Sequence, residues 1–260
     1  MTPAPPTVLV VAGTDPLAGA GVVADAITLR ALHTWPLLVE SAIVEQDSRG
    51  VDAFAPVDVQ LIERQIRRAV ADASPVVWKT GVLGTPETVA TVLRLHQELC
   101  PGVLVMDPVL RGGTATGAPL SRGEMVAAFR SALRPGILVT PNALELAALL
   151  DTTPAFDVDA LVAQTTALQK LSGAIVLGKG GHLTSGVGTD ILAVDGRVHM
   201  FAPNAWTHGD VHGTGCRLAS AIAAGLAHGN DVVTAVQLAR VWMAGLSVVR
   251  IGKGRPQFLI

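Results

Sequence analysis

The chain has 260 residues, half of them apolar and 15% charged, with a formal net charge of −2. That balance excludes the basic footprint of a nucleic-acid binder or of a reader of anionic membrane. No apolar run reaches the roughly 18 residues of a transmembrane helix. Aromatic side chains are scarce and Tyr is absent, so the core must be aliphatic, as in a parallel sheet covered on both faces. Two distant cysteines, Cys100 and Cys216, and an N-terminus without a basic leader lead us to expect a reducing, cytoplasmic setting.

Val8 to Ala12 is an apolar run closed by Gly13 and predicts a buried strand. Residues 19–33 carry helical spacing, with Val23, Ile27, Leu29 and Leu32 as the apolar face. Strand 36–44 follows. Residues 44–50, VEQDSRG, read equally as a plain turn or as polar side chains facing a ring's hydrogen-bonding edge. Helix 58–71 sets Leu61, Ile62, Ile66 and Val70 against Glu63, Arg64, Arg67 and Arg68. The alternation continues through strand 76–83, helix 86–99, strand 102–106, helix 122–133, strand 136–140, helices 143–150 and 158–171, and strand 174–178. Asp190–Val194 and Arg197–Phe201 predict a hairpin around Asp195-Gly196. Helices 214–228 and 232–250 close the chain. Strand–helix alternation predicts an α/β fold with a mostly parallel sheet and helices on both faces, and ligands outside the strands' carboxyl ends. No linker composition divides residues 1–260, so one domain is expected.

The residues that follow the strands carry the chemistry. His212-Gly213-Thr214-Gly215-Cys216 runs straight into an apolar helix. A glycine-rich helix start leaves amides free to bind an anion and to stabilise a transferring phosphoryl group. Cys216 in the first turn is expected to have a lowered thiol pKa and to accept a proton from a substrate hydroxyl. A glycine hinge with a small buried cysteine explains the same residues. Gly19-Ala20-Gly21-Val22-Val23-Ala24 fits the G-x-G-x-x-A dinucleotide pattern. Asp15-Pro16 and further residues lengthen the turn before it, however. Asp25 reads as a ligand for an amine or hydroxyl, or as a solvated first-turn acid. Gly173 to Lys179 nearly matches a phosphate-binding P-loop, but Gly180 replaces the hydroxyl residue and a strand occupies the intervening stretch. Lys179 still emerges at a strand end. Asn142 with Glu145 resembles a capping box, and the same carboxylate is a candidate Mg²⁺ ligand, with Asp107 at the same sheet edge. His208, Asp210 and His212 lack further ligands for a zinc site.

Taken in order, AGTDPLAGAGVVAD (12–25), VEQDSRGV (44–51), KTGVLG (79–84), MDPV (106–109), TPNALELAALL (140–150), KGGH (179–182) and HGTGC (212–216) resemble the hydroxymethylpyrimidine/phosphomethylpyrimidine kinases of thiamine biosynthesis, which have the ribokinase-like fold. The resemblance spans nearly the whole chain. It implies an ATP- and Mg²⁺-dependent kinase for a pyrimidine alcohol or its monophosphate, and a homodimer. Gln46 and Asp25 would bind the aminopyrimidine, and Ala20, Val44, Val82 and Val109 would line its pocket. Asn142, Glu145 and Asp107 would serve the Mg²⁺–phosphate region, with Lys179 near the nucleotide phosphates. Gly213, Thr214 and Gly215 would form the anion hole, and Cys216 would be the base. Leu17 and Ala18 replace a Ser and a Gly of the family's first loop, Val82 a frequent Met, and Val211 and Arg217 two threonines. Alternatives are a pyridoxal-type kinase, a dinucleotide oxidoreductase, and a catalytically impaired ligand-binding relative.

Overall fold

The computed structural model describes residues 4–99, 102–110, 123–203, 211–251 and 257–259. Cys100, His208, Asp210 and most of the 110–117 loop lie outside them. In chain order the elements are β1 (Thr7–Gly13), α1 (Gly21–Ala31), β2 (Trp35–Asp47), β3 (Gly50–Pro56), α2 (Val59–Ala73), β4 (Val77–Thr80), α3 (Pro86–Leu99) and β5 (Val103–Met106). Then come α4 (Gly123–Ala132), β6 (Ile137–Val139), α5 (Ala143–Leu150), α6 (Val158–Ser172), β7 (Ile175–Gly178), β8 (Asp190–Val194) and β9 (Arg197–Phe201). The last are β10 (Val211–His212), α7 (Thr214–Ala227), α8 (Val232–Ala244), β11 (Val248–Arg250) and β12 (Gln257–Leu259).

One sheet has the order β3-β2-β1-β4-β5-β6-β7-β8-β9. The strands from β2 to β7 run parallel, while β3, β8 and β9 add antiparallel edges. Alternation along each strand splits the core into two layers. Leu9 and Val11 of β1 join Leu104 and Met106 of β5 beneath α2 to α6. Val8, Val10 and Ala12 join Val105 beneath α1, α7 and α8. Small residues of α7, such as Ala221, Ala223 and Ala224, let α8 pack closely there. The chain leaves β1 toward β2 on one side and returns to β4 on the other, so the strand order reverses at β1. A crevice at such a switch point is the usual ligand site of an open α/β sheet.

Several elements depart from expectation. Residues 50–56 form β3, antiparallel to β2, so Gln46 belongs to a strand paired with Val51 and not to a plain turn. Strand 76–83 is shorter, because Gly81 and the residues after it turn away along the site. The last helix stops at Ala244, and Val248–Arg250 pairs with β12 in a small second sheet. On α1 the buried stripe is Val22, Asp25, Thr28 and Leu29, while Val23 and Ile27 face outward. A hidden carboxylate disguised the helix face, and its partner explains the hiding.

Candidate active site

The carboxyl ends of β1, β4, β5, β6 and β7 and the start of α7 converge on one group of charges. At the first strand, Asp15 is buried and accepts hydrogen bonds from the amides of Leu17 at 2.9 Å, Gly19 at 3.0 Å and Ala20 at 2.8 Å. Burial opposes its ionisation, but His212, the Leu17 amide and the Gln46 side chain outweigh it and hold the carboxyl down at about 2. An ionised carboxylate only accepts, so His212 Nε2 carries the proton of the 2.9 Å contact to Asp15 Oδ2. The pinned loop sets Ala20 at the start of α1.

The ring-pocket candidates come together. Val44, Val82 and Val109 cluster with Val51 and Phe54. Val44 is held by its amide, which donates to Thr14 Oγ1 at 3.1 Å. The tight approach of Val44 and Val82 to Gly13 explains the lack of a side chain there. Val82 and Val109 remain half-buried, as a ligand-facing wall requires.

Asp25 lies elsewhere than expected. It is fully buried, with Lys79 Nζ at 2.6 Å on Oδ2 and Ser220 Oγ at 2.8 Å on Oδ1. Its carboxylate has no open edge for a ring, so it supports the site from below. Burial alone would push the Lys79 ammonium down, but Asp25, Cys216 and Asp107 around it prevail and hold it above the usual lysine range. Sequence reading gave Lys79 no role. The available signal was a lysine directly after the apolar Val76-Val77-Trp78 of a buried strand, where only a buried partner makes it tolerable.

At the next strand ends, Asp107 Oδ1 accepts from Thr140 Oγ1 at 3.0 Å and from Lys179 Nζ at 2.8 Å. Asn142 caps α5 by accepting from the Leu144 and Glu145 amides, both at 2.9 Å, and Glu145 Oε2 accepts the Asn142 amide at 2.8 Å. The capping box is therefore present, yet Glu145 is also buried beside Asp107 and Lys179. Burial raises its carboxyl to about 7, against the pull of Lys179 and with the help of Asp107. Burial works against the Lys179 ammonium, but Asp107 and Glu145 prevail and raise it. The P-loop resemblance of residues 173–180 dissolves in the fold: Gly173 caps α6, and Ile175–Gly178 is β7.

The glycine turn lies on the same ground. Gly213 takes φ 80° as the N-cap of α7, and a Cβ there would meet the Gly19 carbonyl oxygen at 1.8 Å. A Cβ on Gly215 would lie 3.1 Å from Lys179 Nζ and 3.5 Å from Asp107 Oδ2. With Arg217 as the first residue bonded back to Gly213, the Thr214, Gly215 and Cys216 amides precede the helical ladder. Three such amides at a helix start, with Lys179 Nζ beside Gly215 and the Lys79 charge acting on Cys216, suit an anion. The expected lowering of Cys216 is corrected. Burial, with Asp25 and Asp107, outweighs Lys79 and pushes the thiol up to about 11. Arg217 points to α1, with its guanidinium 3.5 Å from Thr28 Oγ1.

A sequence profile described as phosphomethylpyrimidine kinase matches residues 15–255. The chain is 37% identical over 242 residues to the hydroxymethylpyrimidine/phosphomethylpyrimidine kinase of Mycobacterium tuberculosis, covering 92% of this chain and 87% of that one. It spans only 32% and 34% of two multifunctional thiamine-biosynthesis proteins from Corynebacterium. A crystal structure of the phosphomethylpyrimidine kinase from Clostridium difficile superposes with TM-score 0.79 at 29% identity, over 92% of this chain and 97% of that chain. The pyridoxal kinase from Staphylococcus aureus in complex with AMP-PCP and pyridoxal gives TM-score 0.86 at 26% identity, over 98% and 93%. The ribokinase-like fold expected from the sequence agrees with these neighbours, and the dinucleotide oxidoreductase reading falls with them.

Proposed function

Because the chain belongs to the phosphomethylpyrimidine kinase family, we propose that it transfers the γ-phosphoryl group of ATP to 4-amino-5-hydroxymethyl-2-methylpyrimidine or its monophosphate, as one cytoplasmic kinase domain over residues 1–260. One observation carries the reading. The bare Gly215 lies within van der Waals reach of both Lys179 Nζ and Asp107 Oδ2, at the mouth of the crevice. Phosphoryl transfer is mainly positioning and charge stabilisation, and this arrangement supplies both.

The ring sits against Ala20, Val44, Val82 and Val109, with Gln46 on its polar edge and Asp25 acting from below through Lys79. The alcohol attacks the phosphorus in line. Of the 213–215 turn, the Thr214 and Gly215 amides receive the equatorial oxygens with that of Cys216, while Gly213 turns the chain ahead of them, and Lys179 with the Asn142 side-chain Nδ2–H faces the nucleotide. Cys216 takes or shares the hydroxyl proton, which requires the site first to draw the proton off a thiol that burial holds protonated. Asp107 and Glu145 suit Mg²⁺, which favours one or two carboxylates completed by phosphate and water. Among the described residues no group of three or more His, Cys, Asp or Glu forms a protein-only cage. Two neighbouring acids sharing one lysine, with Glu145 raised by burial, also favour an added cation. Bound there, Mg²⁺ would neutralise charge on the phosphates. A homodimer is part of the reading, supported by outward apolar side chains such as Val23, Ile27, Leu38 and Ile43. Light scattering that gives a monomer at micromolar concentration removes that part.

The deciding experiment is an ATP-consumption screen against pyrimidine and pyridine alcohols, with product mass measured. Turnover of pyridoxal-type alcohols alone would replace the substrate by the second reading, which the likeness to the S. aureus pyridoxal kinase favours. Binding of the pyrimidine without turnover would leave a ligand-binding relative.

A further inference from the structure

A buried ion pair meets the chain one residue past Lys179 and has none of the roles above. Asp190, the first residue of β8, and Arg240 of α8 are both buried, and Arg240 Nη1 donates to Asp190 Oδ2. The other carboxylate oxygen, Oδ1, accepts the Gly180 amide at 2.9 Å. We propose that Asp190 and Arg240 are positioning residues that hold Lys179, at the end of β7, in register with the amide turn of α7, so that lysine and turn grip one phosphate chain. The nucleotide is that of the kinase reading above, on which this inference rests.

The register of the sheet puts the pair there. β8 runs back along β7 with Gly178 opposite Ile191, so Asp190 comes level with the point where Lys179 leaves the sheet. The backbone is then fixed on both sides of Lys179. Its own amide donates to the Pro141 carbonyl at 2.9 Å, and the next amide donates to Asp190. The Gly180 carbonyl accepts the Gly188 amide at 3.0 Å, and a Cβ on Gly180 would lie 1.9 Å from the Thr189 carbonyl oxygen. Arg240 closes the clamp from α8. Its Nη2 donates to the Gly188 carbonyl at 3.1 Å and to the Ala202 carbonyl at 2.7 Å. With Asp190 that makes three acceptors, which a forked guanidinium can span and an ammonium cannot. Burial pushes the Asp190 carboxyl up, and Arg240 and the Gly180 amide pull against it, so the guanidinium favours the ionised, accepting form. The far end of the clamp is the helix pair that carries the turn. α7 and α8 pack so closely that a Cβ on Gly225 would lie 3.1 Å from that of Ala235. Arg240 therefore ties the end of β7 to the helices that begin with the amide turn, where Lys179 Nζ lies beside Gly215.

The test titrates native protein and Asp190→Asn with AMP-PCP and Mg²⁺, and separately with the pyrimidine alcohol, in a calorimeter, and measures kcat and KM for ATP. An asparagine keeps one oxygen but must turn its N–H groups toward Gly180 or Arg240, both of them donors. The Kd for AMP-PCP should rise at least about tenfold, the size of one lost hydrogen bond to a charged group. The value of kcat/KM for ATP should fall roughly 10- to 100-fold, as a displaced lysine requires. The Kd for the pyrimidine should stay within about twofold, since its pocket lies at the other end of the crevice. A fold loosened as a whole would lower the active fraction, and so kcat, without splitting the two ligands. Should Asp190→Asn fail to fold, Arg240→Lys, which keeps the charge but cannot span the three acceptors, must show the same selective rise. An unchanged Kd for AMP-PCP in the folded variant, or equal losses for nucleotide and pyrimidine, overturns the inference and leaves the kinase reading standing. A native protein that does not bind AMP-PCP overturns both.

Discussion

Replacing Lys79 by Met tests whether the floor of the site is a true buried ion pair. Both side chains are fully buried and 2.6 Å apart. Removing the ammonium leaves Asp25, among the described residues, with the Ser220 hydroxyl at 2.8 Å as its remaining side-chain hydrogen-bond donor. Breaking a buried pair from one side costs about 3–5 kcal/mol, because the surviving charge stays desolvated. For a chain of this size each kcal/mol shifts the melting temperature by about 2–4 °C, so a fall of roughly 6–20 °C is expected. Urea unfolding of Lys79→Met, Asp25→Asn and the double variant supplies the cycle. The double variant should be at least about 2 kcal/mol more stable than the sum of the single losses, because it buries no orphan charge. Turnover should not recover with it, since the Lys79 charge also acts on Cys216 at the start of α7. A Lys79→Met variant within about 1 kcal/mol of the native protein, or strict additivity, would refute a charged pair.

Gly215→Ala should keep its melting temperature, as the helical position admits a Cβ, yet lose roughly 100-fold in kcat because the methyl stands where phosphate must approach. Gly213→Ala should instead lose the fold locally or globally, seen as a lowered melting temperature, since its Cβ would overlap the Gly19 carbonyl at a φ of 80°. In a Cys100→Ser background, iodoacetamide should alkylate Cys216 slowly at neutral pH. A thiol raised to about 11 becomes a thiolate only as pH climbs, so the rate should still be rising about tenfold per unit at pH 9–10, where an ordinary thiol levels off. A plateau below pH 9 would contradict the burial argument. Ala18 occupies φ 58°, where the family loop resembled here carries glycine. Ala18→Gly should therefore raise stability in urea unfolding by about 0.5–1 kcal/mol, and a loss would mean that the loop tolerates the methyl.

Apolar runs and the helical period marked all eight helices and eight of the twelve strands among the described residues, because burying one face imposes a pattern that the chain itself must carry. The hairpin 190–201 and the start of α7 follow the sequence closely for that reason. Two sequence-local features were just as legible: the glycines of 213–215, needed for a positive φ and a close approach, and the Asn142–Glu145 cap, which acts within one turn. Partnership across the sheet was not legible. Asp25 looks like a surface acid until Lys79, 54 positions away, is seen against it. Asp15 looks like a turn former until His212, 197 positions away, reaches it. The Cys216 thiol likewise reads as a helix-start thiolate until the carboxylates and walls around it are in place. Local rules act through bonds and turns that neighbours in sequence share. Desolvation and Coulomb energy depend on what the fold brings within a few ångströms, and only the tertiary structure decides that.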